Sequence, residues 1–214
     1  MVPALAEAGA LLPQSFFARD ALEVARDLVG RVLARDGAIV RITEVEAYRY
    51  PGDSASHCRM GRTPRNAPMW GPPGHAYVYL CYGMHSMLNL VTNAEGEGAA
   101  VLVRAVEPLA GHAVLSERRG GRLDLAGPGK VAAALGLTTS WSGHAVYAEG
   151  GLECRQGSPP ARLLVGPRVG IDYATARDRR ALYRFADPES KSVTVRRTLR
   201  PGRRSHRCPP PPRP

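Results

Sequence analysis

Ala38-Ile39-Val40-Arg41-Ile42-Thr43-Glu44-Val45-Glu46-Ala47-Tyr48 is the stretch on which the fold turns. Branched residues alternate with polar ones for eleven positions, a strand pattern rather than a helical one. Strict alternation puts Val40, Ile42, Glu44, Glu46 and Tyr48 on one face and Arg41, Thr43, Val45 and Ala47 on the other. Upstream, Asp36-Gly37 signals a turn and Arg31–Ala34 a short partner strand. Ser15–Gly30 before it reads as a helical region with Asp20 as N-cap and Gly30 past its end. Downstream, Pro51-Gly52 ends the strand, and the Pro- and Gly-rich residues 53–75 predict a long irregular loop, a feature that is usually either functional or disordered in a compact domain.

Beyond the loop, His75–Cys81 and Met84–Val91 predict a β-hairpin with Tyr82 and Gly83 at its tip. Ala100–Val106 predicts a further strand that Pro108 stops. Residues 111–125 read as partly helical. Gly127-Pro128-Gly129-Lys130 opens a helix that Gly136 caps, with Pro128 in the first turn. Later strands are expected at Ala145–Tyr147, Arg162–Val165 and Ser192–Val195. Hairpin-paired strands with flanking helices, lacking a regular βαβ alternation, predict an α+β fold. The boundaries expected are a disordered extension over residues 1–14, one domain over 15–198, and a disordered Arg/Pro-rich tail over 199–214.

The 214 residues carry a net charge of +10, and the eight basic residues after Glu189 account for all but +2 of it. The body is mildly basic and the tail strongly so, which suits a polyanionic partner without establishing one. Apolar runs are too short to span a bilayer, and Met1–Leu12 contains Glu7 and no basic residue, against a secretory signal. Four cysteines without a Cys-x-x-Cys pair fit a reduced, cytoplasmic protein. The spacing of His57, Cys58, His75, Cys81 and His85 fits no standard zinc pattern.

Four stretches in one order carry a family resemblance: Glu44–Tyr48, Gly61-Arg62-Thr63-Pro64-Arg65-Asn66, Tyr77-Val78-Tyr79-Leu80-Cys81-Tyr82-Gly83-Met84 running on to Asn89, and Val101–Leu109. With these, from about Phe16 to Arg197, the chain resembles the alkyladenine (3-methyladenine) DNA glycosylase family in its compact bacterial form. The resemblance implies a single domain with a curved antiparallel sheet, like the C-terminal domain of methionyl-tRNA formyltransferase. It also implies a protruding hairpin that enters the minor groove, and no cofactor or metal. The implied partner is double-stranded DNA containing damaged purines, bound by a monomer in the cytoplasm at the nucleoid, with no membrane involved.

Such an enzyme must turn its target nucleotide out of the stack, and an apolar or aromatic wedge commonly fills the gap. Tyr82 matches the family's wedge, with Met84 beside it; taken alone, Tyr82 could equally be a core residue. Hydrolysis of an N-glycoside passes through an oxocarbenium-like state and needs a carboxylate to deprotonate water and face the developing positive charge. The resemblance gives that role to Glu46, with Glu44 the competing carboxylate, and places Arg104 near the water and an adjacent phosphate. Without it, Glu46 would read as a surface ion-pair partner and Arg104 as a plain phosphate or surface arginine.

Tyr48, His57 and Tyr79 match the aromatic walls that hold a flat, often cationic base. Tyr77 and Tyr79 share a face, so one of them is expected in the core. Asn89 matches an asparagine that clashes with the 2-amino group of normal guanine. Arg65 and Lys130 are candidates for the DNA backbone, Lys130 beside the N–H groups of a helix start. Two departures stand out: the loop between His57 and Thr63 is a residue shorter than in some relatives, and Tyr183 stands where tryptophan is frequent. A lesion-binding protein without turnover, and a hydrolase of another N-riboside or of RNA, remain as competing readings. Glu46 separates the first of these, since a binder has no need of it.

Overall fold

The computed structural model describes residues 9–202. Its centre is β2 (Ala38–Tyr48), predicted to the residue. Along one edge β2 pairs with β5 (Ala100–Ala110); along the other it meets β1 (Val32–Arg35) in its first half and β8 (Arg184–Ala186) in its second. The antiparallel order is β3-β4-β5-β2-β8-β7-β9, with β3 at Ala76–Cys81, β4 at His85–Val91, β7 at Leu164–Gly166 and β9 at Arg200–Pro201. β6 (Glu153–Arg155) pairs with the outer edge of β1. The fold is α+β, as predicted.

The strict alternation expected for β2 is overturned. Ile42 pairs with Val106, Glu44 with Ala105 and Val45 with Val103, so the ladder is irregular around Thr43 and again opposite Arg104. Each irregularity reverses which side of the sheet a side chain meets. Val40 and Ile42 enter the main core before it, and Val45 and Ala47 do so after it; Val106 and then Val103 and Val101 do the same on β5. Glu44, Glu46 and Tyr48 are thereby separated from Val40 and Ile42 and share the opposite face with Arg104.

Helices cover the core face. The predicted Ser15–Gly30 region is two helices, α1 (Gln14–Phe17) and α2 (Ala21–Leu28). Asp20 caps α2 by accepting from Leu22 N at 2.8 Å, a contact worth about 1 kcal/mol. Leu22, Val24, Ala25 and Leu28 are buried on the core side, and α2 packs on β2 and β5. α3 (His112–Arg118) and α4 (Pro128–Ala134) complete that layer, α4 against β4 and β5. Pro128 lies in the first turn of α4 and Gly136 has a φ of +63°, as their positions predict. α5 (Ala176–Arg180) lies in the segment between β7 and β8.

Several expected boundaries move. Pro108 does not stop β5: it sits opposite Val40 beside a register shift, where a missing N–H is tolerated. Ala145 makes only an isolated bridge to His75, and Ser192–Val195 is not a strand. Residues 9–14, expected to be disordered, are held instead: Leu12 is fully buried and its N–H donates to Cys154 O at 2.9 Å. Residues 199–202, assigned to the disordered tail, include β9, and Gly202 N–H donates to Leu163 O at 2.9 Å. The remainder of the two expected ends lies outside the described residues. Among the described residues no helix is long and apolar enough to cross a membrane.

Candidate functional site

The face of the sheet turned away from the helices carries the candidate residues Glu46 and Tyr48. A smaller cluster of Cys58, Met69, Tyr77, Val91 and Ala100, joined by Tyr48 and Tyr79, lies there beneath the long loop. That loop is irregular as predicted, apart from a short 3-10 turn at Ala67–Trp70.

Glu46 has no exposed surface. Its Oε1 accepts from Val169 N–H at 2.8 Å, and its Oε2 accepts from the Tyr48 hydroxyl at 2.8 Å and from Arg104 at 3.2 Å. A carboxylate offers about four lone-pair positions, so these three donors leave about one, on Oε1. Burial and the neighbouring Glu46 charge raise the Tyr48 phenol well above its ordinary range, keeping it a donor. Burial opposes the charge on Arg104, but the carboxylates of Glu46 and Glu44 outweigh it and raise its pKa.

Glu44, the competing carboxylate, is also fully buried but engaged elsewhere. It accepts from Arg184 at 2.9 Å and from the Thr194 N–H and hydroxyl at 2.6 and 2.8 Å, and lies 3.6 Å from Arg104 Nε. Two carboxylates and two guanidinium groups therefore share one dry cluster, each sign offsetting the other, as burial of charge demands.

His57, Tyr77 and Tyr79 lie ring against ring. His57 and Tyr79 meet edge to face with ring centroids 4.5 Å apart, and His57 Nδ1 lies 3.2 Å from the Tyr77 hydroxyl. Tyr77 is the member of its pair that goes into the core. Burial, then the charges of Arg65 and Arg59, lower the pKa of His57 and favour a neutral imidazole. A cavity of about 360 Å³ opens here, lined by His57, Tyr77, Arg65, Asn66 and Tyr173 among others. Glu46 is not among its lining residues. Asn89 is buried on the same sheet face, its amide N–H groups donating to Tyr77 O and Met87 O at 3.1 and 3.2 Å.

Tyr82 and Met84 stand at the hairpin tip, 89% and 73% exposed. Met84 N–H donates to Cys81 O at 3.1 Å across a turn whose central residues, Tyr82 and Gly83, have φ of +51° and +69°. Gly83 takes that conformation freely, whereas Tyr82 holds it at a cost of about 1–2 kcal/mol. Arg65 lies on the rim of the cavity. Lys130 projects from α4 into an exposed ion pair with Asp124. Close approach places the start of α4 beside the hairpin, since a Cβ on Gly129 would come within 3.1 Å of His85 Cβ.

A family model for methylpurine-DNA glycosylase matches residues 15–191. The chain belongs to that family. A protein of Nitrosococcus oceani provisionally named 3-methyladenine DNA glycosylase is 57% identical over 194 residues, 89% of this chain and 96% of its own length. The DNA-3-methyladenine glycosylase of Arabidopsis thaliana is 52% identical over 197 residues, 89% of this chain and 77% of its own. A Methanocella arvoryzae protein, again provisionally named for 3-methyladenine DNA, is 43% identical over 194 residues, 87% of this chain and 96% of its own. Membership makes this chain a DNA repair glycosylase, a monofunctional hydrolase.

Sequence reasoning missed several groups that shape the glycosylase's site. Val169 acts through its backbone N–H, which no residue type announces. Arg168, with a side chain wholly buried, pairs with Asp53 at 2.6 and 2.7 Å and lies 4.7 Å from the Tyr48 ring and 5.1 Å from the Tyr183 ring. Tyr183 supplies the second of those faces. Gly-Pro before Arg168 was the available signal of a fixed turn, but nothing local tied it to residue 48.

Proposed function

We propose that this glycosylase turns alkylated or deaminated purines out of duplex DNA as a single chain and hydrolyses the N-glycosidic bond with water activated by Glu46. The observation that carries the reading is the valence of that carboxylate. It is buried, held by three donors beside a buried cation, and left with one acceptor position for a water proton.

In the reaction the water oxygen bonds to C1′ as the C1′–N bond breaks, and the bonding electron pair leaves with the base. Glu46 takes the water's proton, and its charge opposes the positive charge on the sugar. A base that enters as a cation, such as 3-methyladenine or 7-methylguanine, leaves neutral and needs no proton. Hypoxanthine must acquire one on leaving, and no described residue is assigned to give it. Tyr48, His57 and Tyr79 supply the π faces for the everted base, and a neutral His57 suits a cationic one. Asn89 excludes guanine by its bulk. Tyr82, with Met84, occupies the vacated stack, and Arg65 and Lys130 meet backbone phosphates.

Duplexes holding a single hypoxanthine or 7-methylguanine, treated with the protein and then with alkali, test the proposal. The parent is expected to leave alkali-labile abasic sites, and Glu46→Gln to bind but excise at least a hundredfold more slowly. Equal excision by both would remove Glu46 from its role. Binding without excision by the parent on both duplexes would make the chain a lesion binder.

A further inference from the structure

Arg104 has two working edges. One end of its guanidinium reaches Glu46, and the Nε edge lies 3.3 Å from the Thr194 hydroxyl. That hydroxyl donates to Glu44 Oε1 at 2.8 Å, leaving its oxygen free to accept from Arg104. Thr194 is fixed from its backbone as well: its N–H donates to Glu44 Oε2 at 2.6 Å and its carbonyl accepts from Arg184 at 3.0 Å. Four contacts thus hold a residue of an irregular segment among three buried charges, those of Arg104, Glu44 and Arg184.

The next residue gives an independent reason to notice this segment. Val195 has φ +39° and ψ +46°, a left-handed conformation that a β-branched side chain strongly resists. Val195 is 41% exposed, so the strained backbone does little to bury it. The turn follows Thr194 directly and is closed by Thr198, whose N–H and hydroxyl donate to Val195 O at 3.1 and 2.9 Å. Strain of this kind persists where the surroundings over-determine it, and it gathers at functional sites.

We propose that Thr194 is a positioning residue for the excision step, setting the plane of the Arg104 guanidinium and so its reach to Glu46. A planar guanidinium held at its Nε edge has its far nitrogens fixed in direction, which a single contact at one terminal nitrogen would not achieve. The inference rests on the assignment of Glu46 as the base.

Thr194→Val removes the hydroxyl while keeping the shape of the side chain, Thr194→Ser keeps the hydroxyl, and Thr194→Ala serves if the valine variant does not fold. Single-turnover excision from a damaged-purine duplex, affinity for that duplex and urea unfolding are measured for each, with Glu46→Gln in parallel. Thr194→Val is expected to slow excision about tenfold, the scale of one charge-assisted hydrogen bond, with affinity within about twofold of the parent. Thr194→Ser should excise within about threefold of the parent. Parent-like excision by Thr194→Val, equal slowing by Thr194→Ser, or a loss confined to affinity would overturn the proposal. Parent-like excision by Glu46→Gln would defeat the base assignment. A slow Thr194→Val beside a fast Glu46→Gln would also detach Thr194 from that carboxylate and overturn the proposal.

Discussion

Arg168→Met should cost the fold about 3 kcal/mol. Its guanidinium is dry, bonded to both oxygens of Asp53 and to Ala47 O at 2.9 Å, and set between the rings of Tyr48 and Tyr183. Removing one member of a buried ion pair typically costs about 3–5 kcal/mol, because the other charge is stranded. Asp53 would keep two backbone donors, Arg49 N–H at 3.2 Å and Ala55 N–H at 3.1 Å, which places the loss at the lower end. For a domain of this size that corresponds to a fall in Tm of about 6–12 °C. Urea unfolding of the parent, Arg168→Met, Asp53→Asn and the double variant measures it. Because the stranded carboxylate is the main cost, the double variant should recover at least ~1 kcal/mol over Arg168→Met. A loss below ~1 kcal/mol in the single variant, or simple addition of the two losses in the double, would refute the argument.

Tyr82→Asn should move stability and function in opposite directions. Asparagine tolerates a left-handed φ better than tyrosine, so Tm should rise by a degree or more, while lesion binding and single-turnover excision fall at least tenfold. Unchanged excision would remove Tyr82 as the wedge. His57 supplies a pH test. Its pKa in the folded state is lowered, by burial first and then by Arg65 and Arg59, so below an unfolded pKa of about 6.5 the unfolded chain takes up a proton that the folded chain refuses. The stability tied to a neutral His57 is therefore complete above that pH and declines as pH falls toward the folded value. His57→Gln should flatten the stability profile below pH 6.5, as read by urea unfolding across pH 5–8; an unchanged slope would contradict the assignment.

Local periodicity made much of the fold legible. Eleven alternating residues marked β2, the Tyr82-Gly83 tip marked the hairpin, and Pro128 with Gly136 framed α4. The reversal at Thr43 was not legible, because it depends on a matching irregularity on β5, sixty residues away in the chain, and a strand read alone looks regular across it. The short strands β6, β8 and β9 have two or three residues each, too few to display a period. Within the candidate site, residues that match motifs could be named in advance. Arg168, Val169 and Thr194 could not, since their roles arise from contacts spanning 90 residues or more.

The Glu44–Arg184 pair joins residues 140 apart in the chain. At a translation rate of about 5–20 residues per second, roughly 7–28 s separate the making of the two groups. Through that interval the nascent chain holds a carboxylate destined for a dry interior without the cation that makes such a position tolerable. Closure of the sheet around β2 must therefore wait for residue 184. A product ending before residue 184 would lack both β8 and the cation for Glu44, and the face that holds Glu46 would come together only once residue 184 had left the ribosome.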